Sequence, residues 1–365
     1  MQTHQPIAII GASILDESAM QNRALEESLF DLTNQVLADA SLDIDDIDGI
    51  VVGANDQYDG RAIAIMAASG SVGGVDRDIL STPSAGEHAL VMGAMRVGSG
   101  TQQTQLVVAW SPTEVDSLSE TQRLAADPYY HRRLPLDELS SHALQATALE
   151  HAIPHARAAA AELKSVVRGN APGAGAGYER PRWPFGEHDV ALPSAGAVAL
   201  VIASGDFAAR RNARNVVNIE GMGWATEPAY LGDRNLADLP SLRAAAQRAY
   251  RAAAIENARA VIGAAEVADA TPHQALLALE GLGLSDRGQW RDDLAAHRFS
   301  AGGGMPLNQS GGASVANPVF CAGLQSVATA ALQCRRTHAP VLAHASSGFA
   351  MQYNTVVVMR NGESK

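Results

Sequence analysis

A handful of side chains carry the chemical possibilities of this chain. His344 ends the apolar run Pro340–His344, a strand candidate. A neutral imidazole there would act as general acid or base near pH 7; the alternative is a strand-end histidine bonded to a backbone carbonyl. Ser84 and His88 are four residues apart, a spacing that puts both on one helical face and within reach of a serine–base pair. His273 follows Pro272 and opens a helix expected over 273–280, facing either a pocket or the surface. Asn317 precedes Pro318, the pattern of an asparagine N-cap with proline at the first helical position. Tyr353 lies just before the last strand candidate, Thr355–Met359, and reads on its own as a core or interface tyrosine.

Other chemistries are poorly supplied. The two cysteines, Cys321 and Cys334, are too few for a disulfide framework or a zinc site. The loop 169–178 contains Gly173-x-Gly-x-Gly, but it follows a helix and not a strand, so the dinucleotide fingerprint does not apply and an insertion loop is expected. With a net charge of −12 and no clustered basic stretch beyond Arg210, Arg211 and Arg214, the chain lacks a nucleic-acid footprint. An anionic ligand remains compatible with it through local arginines and helix N-termini. The N-terminus lacks the basic flank of a signal peptide and no apolar run is long enough to span a bilayer, so a soluble, cytoplasmic protein is expected.

These side chains must be positioned by a large core, which 365 residues at 47% hydrophobic and 18% charged can provide. Short apolar runs alternate with alanine-rich helical stretches, the pattern of an α/β fold with mainly parallel sheet. Ile7–Ile10 and Ile50–Val52 are strand candidates, and Glu26–Ala40 is a helix with Leu29, Leu32, Val36 and Leu37 on one face. A helix opening at Gly86 leads to a strand over Leu106–Trp110, and a helix opening at Gly323 leads to the strand Pro340–His344. The separations from glycine to strand, 20 residues from Gly86 to Leu106 and 17 from Gly323 to Pro340, suggest one supersecondary unit used twice. Residues 118–190 differ in kind and read as an insertion, with a helical stretch near Ser141–Ala161, between a first half over 1–117 and a second over 191–365 that opens on the strand Gly196–Ala203. Trp110, Trp183, Trp224 and Trp290 are assigned to packing.

A duplicated α/β unit with a glycine-rich helix entry in each half resembles the thiolase superfamily. The segment 307–323, LNQSGGASVANPVFCAG, is similar to the family stretch written N-P-S-G-G…G-H-P-x-G-A-T-G. Residues 266–284, EVADATPHQALLALEGLGL, resemble the helix that carries the family's oxyanion asparagine or its H-D-x-F variant. Asp127-Pro-Tyr-Tyr130 and residues 143–169 resemble the branch of sterol-carrier-protein thiolases and lipid-transfer proteins. The resemblance implies a layered α-β-α-β-α fold with two mixed, mainly parallel sheets, and a homodimer. It also implies a nucleophilic cysteine at the start of the first-half helix, three residues before its glycine. That position is Pro83, and a slip of one residue gives Ser84. Asn317 stands for the histidine of G-H-P, and the turn 343–348 holds no second cysteine, so ordinary thiolase chemistry is excluded. Cys321 falls where the family has a small packing residue and is expected to be a buried structural thiol.

What the resemblance leaves is a choice. The first reading is cysteine-free chemistry on acyl-CoA thioesters, such as aldol condensation or retro-aldol cleavage of a β-hydroxyacyl-CoA, with coenzyme A present only as substrate. Asn317 and backbone N–H groups near Ser84–Gly86 or Gly348 would hold the enolate, with His344 or Tyr353 as base. His273 would face the same pocket, and Gly86, Gly311, Gly312 and Gly348 would form the glycine framework that binds substrate. The second reading is a degenerate, non-catalytic or lipid-transfer-type subunit completed by an OB-fold/zinc-ribbon protein or a cysteine-bearing paralogue. The third is a serine-dependent acyltransferase using Ser84. No metal cluster is expected.

Overall fold

The computed structural model describes residues 5–60, 63–112, 118–171, 182–186 and 188–362. Most of the Gly173-x-Gly-x-Gly loop therefore lies outside the described residues. The first half of the chain contributes β1 (Ile7–Asp16), α1 (Leu25–Ala40), β2 (Gly49–Gly53), β3 (Asp78–Thr82), α2 (Gly86–Gly98) and β4 (Thr104–Ser111). Between β4 and the next strand come α3 (Glu138–Ala152) and α4 (Ala156–Asn170). Then follow β5 (Gly196–Ser204), β6 (Val217–Thr226), α5 (Pro240–Ala252), β7 (Ala264–Glu266), α6 (Pro272–Gly281), α7 (Ala322–Cys334), β8 (Val341–Ser347) and β9 (Tyr353–Asn361).

The strands form one nine-stranded sheet in the order β3-β2-β4-β5-β1-β6-β9-β8-β7. The expected pair of sheets is joined because β1 and β6 pair at Ala8↔Asn218 and Ile9↔Val217. The duplication is plain in the pairing. β2 runs parallel to β4 as β7 does to β8. β4–β5 and β5–β1 are antiparallel, as are β8–β9 and β9–β6. Antiparallel pairings thus outnumber parallel ones, against the mainly parallel expectation. A short return such as that between Ser347 and Tyr353 cannot make the crossover a parallel neighbour needs. Even the irregularities repeat: β1 shifts register between Ile9 and Gly11, β6 between Ile219 and Gly221.

Strand alternation sorts the core into layers. Leu106, Val108 and Trp110 of β4 pack toward α1 with Leu29, Leu32 and Val36. Val107 and Ala109 face inward, onto Leu90 and Ala94 of α2 and Leu324 and Val327 of α7, and Val357 and Met359 of β9 close that layer from the other side. Val356 and Val358 of β9 pack outward onto Leu242 and Ala245 of α5 and Leu276 and Leu279 of α6. The result is the layered α-β-α-β-α arrangement, with α2 and α7 sandwiched at the centre.

Local signals explain the helix starts. Asp137 caps α3 by accepting from Ser140 N, and Thr271 caps α6 with Pro272 at its first position. Asn317 does not cap α7: Cys321 N bonds Pro318 O at 2.8 Å, a turn that delays the helix until Ala322, with Cys321 as N-cap. Trp110 and Trp290 are buried, but Trp183 is 73% exposed and lies under the Arg157 guanidinium, contrary to a packing role. Among the described residues no helix is long and apolar enough to cross a membrane.

Helix α5 approaches β6 so closely that a Cβ on Gly221 would stand 2.0 Å from Ala249 O. Gly221→Ala is expected to lower unfolding stability by about 1–3 kcal/mol. Gly169→Ala, on α4 with open space around it, should be neutral or slightly stabilising. Urea unfolding of the two variants checks the contrast, and equal stabilities would contradict the packing described.

Candidate functional site

The second-half elements and the insertion enclose a cavity of about 350 Å³. Its floor is the first turns of α7, around Gly323 and Ser326, and the end of β8 at Ser346, Ser347 and Gly348. One wall is the segment Glu266–Ala270 that leads into α6, with the loop Ser310–Asn317 beside it. The other wall comes from the insertion, through Gln122, Glu138, His142 and Arg182.

Two acids on the first wall are held by the glycine-rich loop. Glu266, the last residue of β7, is 2% exposed. It accepts from Ser310 Oγ at 2.7 Å, from Ser310 N at 3.3 Å and from Gln333 Nε2. Burial pushes its carboxyl up to about 7, against the pull of those donors. Asp269 accepts from Ala313 N at 2.8 Å, and burial pushes it up to about 6, with Ala313 N–H and the Asn308 side chain opposing. The loop can wrap Asp269 because Gly311 and Gly312 take φ of +86° and +55°. A Cβ on Gly312 would stand 2.2 Å from the Asp269 carboxylate. On the opposite wall Glu138 is pushed up to about 7, chiefly by burial, with the Gln122 hydrogen bond opposing and Asp137 adding. Burial pushes His142 down to about 4, so its ring is neutral. The cavity thus holds carboxyls poised to exchange protons near neutral pH.

Of the side chains singled out from sequence, Asn317, Gly312 and Gly348 line this cavity. Asn317 donates from Nδ2 to Ala191 O at 3.3 Å, and its backbone is pinned on both sides by Ser194. Gly348 turns the chain at φ +76°. His344 is not in the cavity. Strand alternation sends it with Leu342 toward the outer layer, where it is fully buried and Nε2 bonds Asn354 Oδ1 at 2.9 Å. Burial pushes it down to about 4, which corrects the expectation of a base tuned near pH 7. His273 is 4% exposed, paired with Glu150 at 2.9 Å and edge-on to Phe185, again away from the cavity. Gly86 N–H is taken by Phe320 O at 3.0 Å, so it is not free to bind an oxyanion. Gly311 shapes the loop without lining the cavity.

Ser84 Oγ does meet His88 Nδ1, and the His88 ring stands edge-on to Tyr353 at 5.5 Å. None of these three lines the cavity. Both cysteines are inert by environment: Cys321 Sγ donates to Gly196 O at 3.5 Å, and burial pushes Cys321 and Cys334 each up to about 12. Neither lines the cavity, and among the described residues no group of three or more His, Cys, Asp or Glu could hold a metal ion. Sequence reasoning passed over Glu138, Glu266 and Asp269; an acid flanked by valine and alanine, as in EVADA, was the available signal.

The raised carboxyls carry a sign for stability. Between the unfolded and folded values the folded chain binds more protons, so stability is lost as pH rises through that interval. For Asp269 the window runs from 3.8 to about 6, and for Glu266 from 4.5 to about 7. Asp269→Asn should flatten this fall by about 1–3 kcal/mol, read as urea midpoints across the window. An unchanged profile would show that Asp269 is not held as described.

A family description of thiolase C-terminal domain-like proteins matches residues 225–360. No curated protein sequence matches the chain. Among solved structures, an Ltp2-ChsH2(DUF35) aldolase superposes with a TM-score of 0.76 at 20% identity, covering 98% of each chain. A monomeric SCP2-thiolase-like protein type 1 from Mycobacterium smegmatis gives 0.70 at 16% identity, over 97% of this chain and 77% of that one. Human mitochondrial 3-ketoacyl-CoA thiolase gives 0.70 at 14% identity, over 98% and 99%. The chain thus shares the fold of these thiolase-like structures over 97–98% of its length, and its residues 225–360 match the thiolase C-terminal domain-like family.

Proposed function

We propose that this protein is an enzyme of acyl-CoA thioesters that makes or breaks a carbon–carbon bond by proton transfer, most simply retro-aldol cleavage of a β-hydroxyacyl-CoA. The observation that carries the reading is the cavity itself: carboxyls tuned to about 6 and 7, an amide at Asn317, and no reactive thiol. A thiolase mechanism needs a thiolate nucleophile. An aldol step needs an acid or base at the reacting carbon and a donor for the enolate oxygen. Asp269 is assigned as the acid that protonates the enolate carbon, and Asn317 as the donor to its oxygen. The aldolase named among the similar structures supports this class of reaction.

The name of that aldolase joins Ltp2 to ChsH2(DUF35), and the insertion here exposes Leu134, Leu144 and Trp183 around one groove. A partner subunit on that face is compatible with the enzyme reading and is also what the helper reading requires. Serine-dependent acyl transfer is favoured by a single observation, the Ser84–His88 contact.

The test is incubation with a panel of β-hydroxyacyl-CoA esters, with products and intact protein mass followed together. Released aldehyde or ketone plus a shortened CoA ester, with no protein adduct, is expected. Asp269→Asn should lower kcat by about 100-fold or more. An acyl adduct mapping to Ser84 would establish the serine reading instead, and no turnover would favour the helper.

A further inference from the structure

Glu87 is the second residue of α2 and is 1% exposed, yet it reaches the floor of the cavity. Its Oε1 accepts a hydrogen bond of 2.8 Å from Ser347 Oγ, and Ser347 lines the cavity. Its Oε2 is buried with no hydrogen-bond partner. The carboxylate has room only because Gly323, another cavity residue, lacks a side chain: a Cβ there would stand 2.5 Å from Oε2 and 2.7 Å from Ala345 Cβ. Glu87 therefore sits where the first turns of α2 and α7 meet, and the positive ends of both helices favour a negative charge there. An acid kept buried with an open oxygen weakens the fold unless that oxygen is used.

We propose that Ser347 and Glu87 form a proton-transfer pair serving the cavity: Ser347 is the catalytic residue that takes the proton of the substrate's β-hydroxyl, and Glu87 takes the proton that Ser347 gives up. This deepens the retro-aldol reading and rests on it. As the hydroxyl loses its proton to Ser347 Oγ, its O–H electron pair becomes the second bond of the leaving carbonyl. The Cα–Cβ bond breaks and its electron pair passes into the thioester enolate, which takes a proton at Cα from Asp269. Glu87 then releases its proton to water and Asp269 regains one from water, so nothing is oxidised or reduced. A serine hydroxyl alone is too weak a base for this step, and the buried carboxylate behind it supplies the missing basicity. His344 and His273, which point elsewhere, are not needed.

The test compares wild type with Ser347→Ala, Glu87→Gln and Glu87→Asp on the ester that wild type cleaves. Ser347→Ala and Glu87→Gln should each lower kcat by about 100-fold with little change in KM, and Glu87→Asp should recover part of the rate. The acid limb of the kcat/KM profile should lose an ionisation in Glu87→Gln, a change that a merely structural role would not produce. Variants within about threefold of wild type would overturn the pair and leave the aldolase reading standing. If wild type cleaves no ester, the aldolase reading fails, and the pair is judged by infrared difference spectra of the protein alone. A carboxylate band absent in Glu87→Gln and shifted in Ser347→Ala would support the hydrogen-bonded contact alone, and the β-hydroxyl step would fall with the aldolase reading. Identical spectra for wild type and Ser347→Ala would overturn it.

Discussion

The meeting of two helix N-termini at the centre of the molecule is the constraint on which the rest depends. α2 and α7 lie in the layer between the two half-sheets, and Gly86 N–H bonds Phe320 O across their starts. A Cβ on Gly86 would stand 2.8 Å from Ala109 Cβ and 3.2 Å from Leu324 Cβ, so only glycine permits the approach. Once those helices are fixed, the end of β8 must pass above α7, and the loop Ser310–Asn317 must arrive beside it. The cavity is the space those elements leave under the insertion. Its geometry is thus a consequence of central packing, which is rigid at native density, more than of the loops that line it.

The chemistry follows from what that space contains. Removing carboxyls from water raises their pKa, and local donors lower it; in Glu266 and Asp269 burial prevails over the donors. In the same interior, burial makes the thiols of Cys321 and Cys334 unreactive and keeps His142 and His344 neutral. One physical cause, desolvation, therefore brings the acids toward neutral pH, holds the thiols protonated and keeps the imidazoles uncharged. The two left-handed glycines at 311 and 312 serve this end by letting the backbone close around Asp269.

Much of the fold was legible because it is written in periodicity. The helix over α1, the strands Ile50–Val52 and Gly196–Ala203, and the two glycine-opened helices all lie inside observed elements. The duplication was legible as well, since α2–β4 and α7–β8 recur at similar spacing. Pairing sense was not, because apolar runs look alike whether a strand is met by a parallel or an antiparallel neighbour. The site was harder. Asn317, Gly312 and Gly348, singled out through motif context, line the cavity, but His344 points to the outer layer because a one-residue change of parity sends a strand side chain to the opposite face. Glu87, Glu138 and Asp269 carry no spacing signature: their partners, Ser347, Gln122 and Ala313, are remote in sequence and meet them only in the folded chain.

The central claim is that carbon–carbon chemistry here proceeds through an enolate protonated by the protein, without a covalent intermediate. Single turnover of a β-hydroxyacyl-CoA in deuterium oxide, with mass analysis of the shortened CoA ester and of the intact protein, tests this most directly. The account predicts one deuterium at the α-carbon of the product and an unmodified protein mass throughout. A protein-bound acyl group during turnover, or a product formed without deuterium at that carbon, would contradict it.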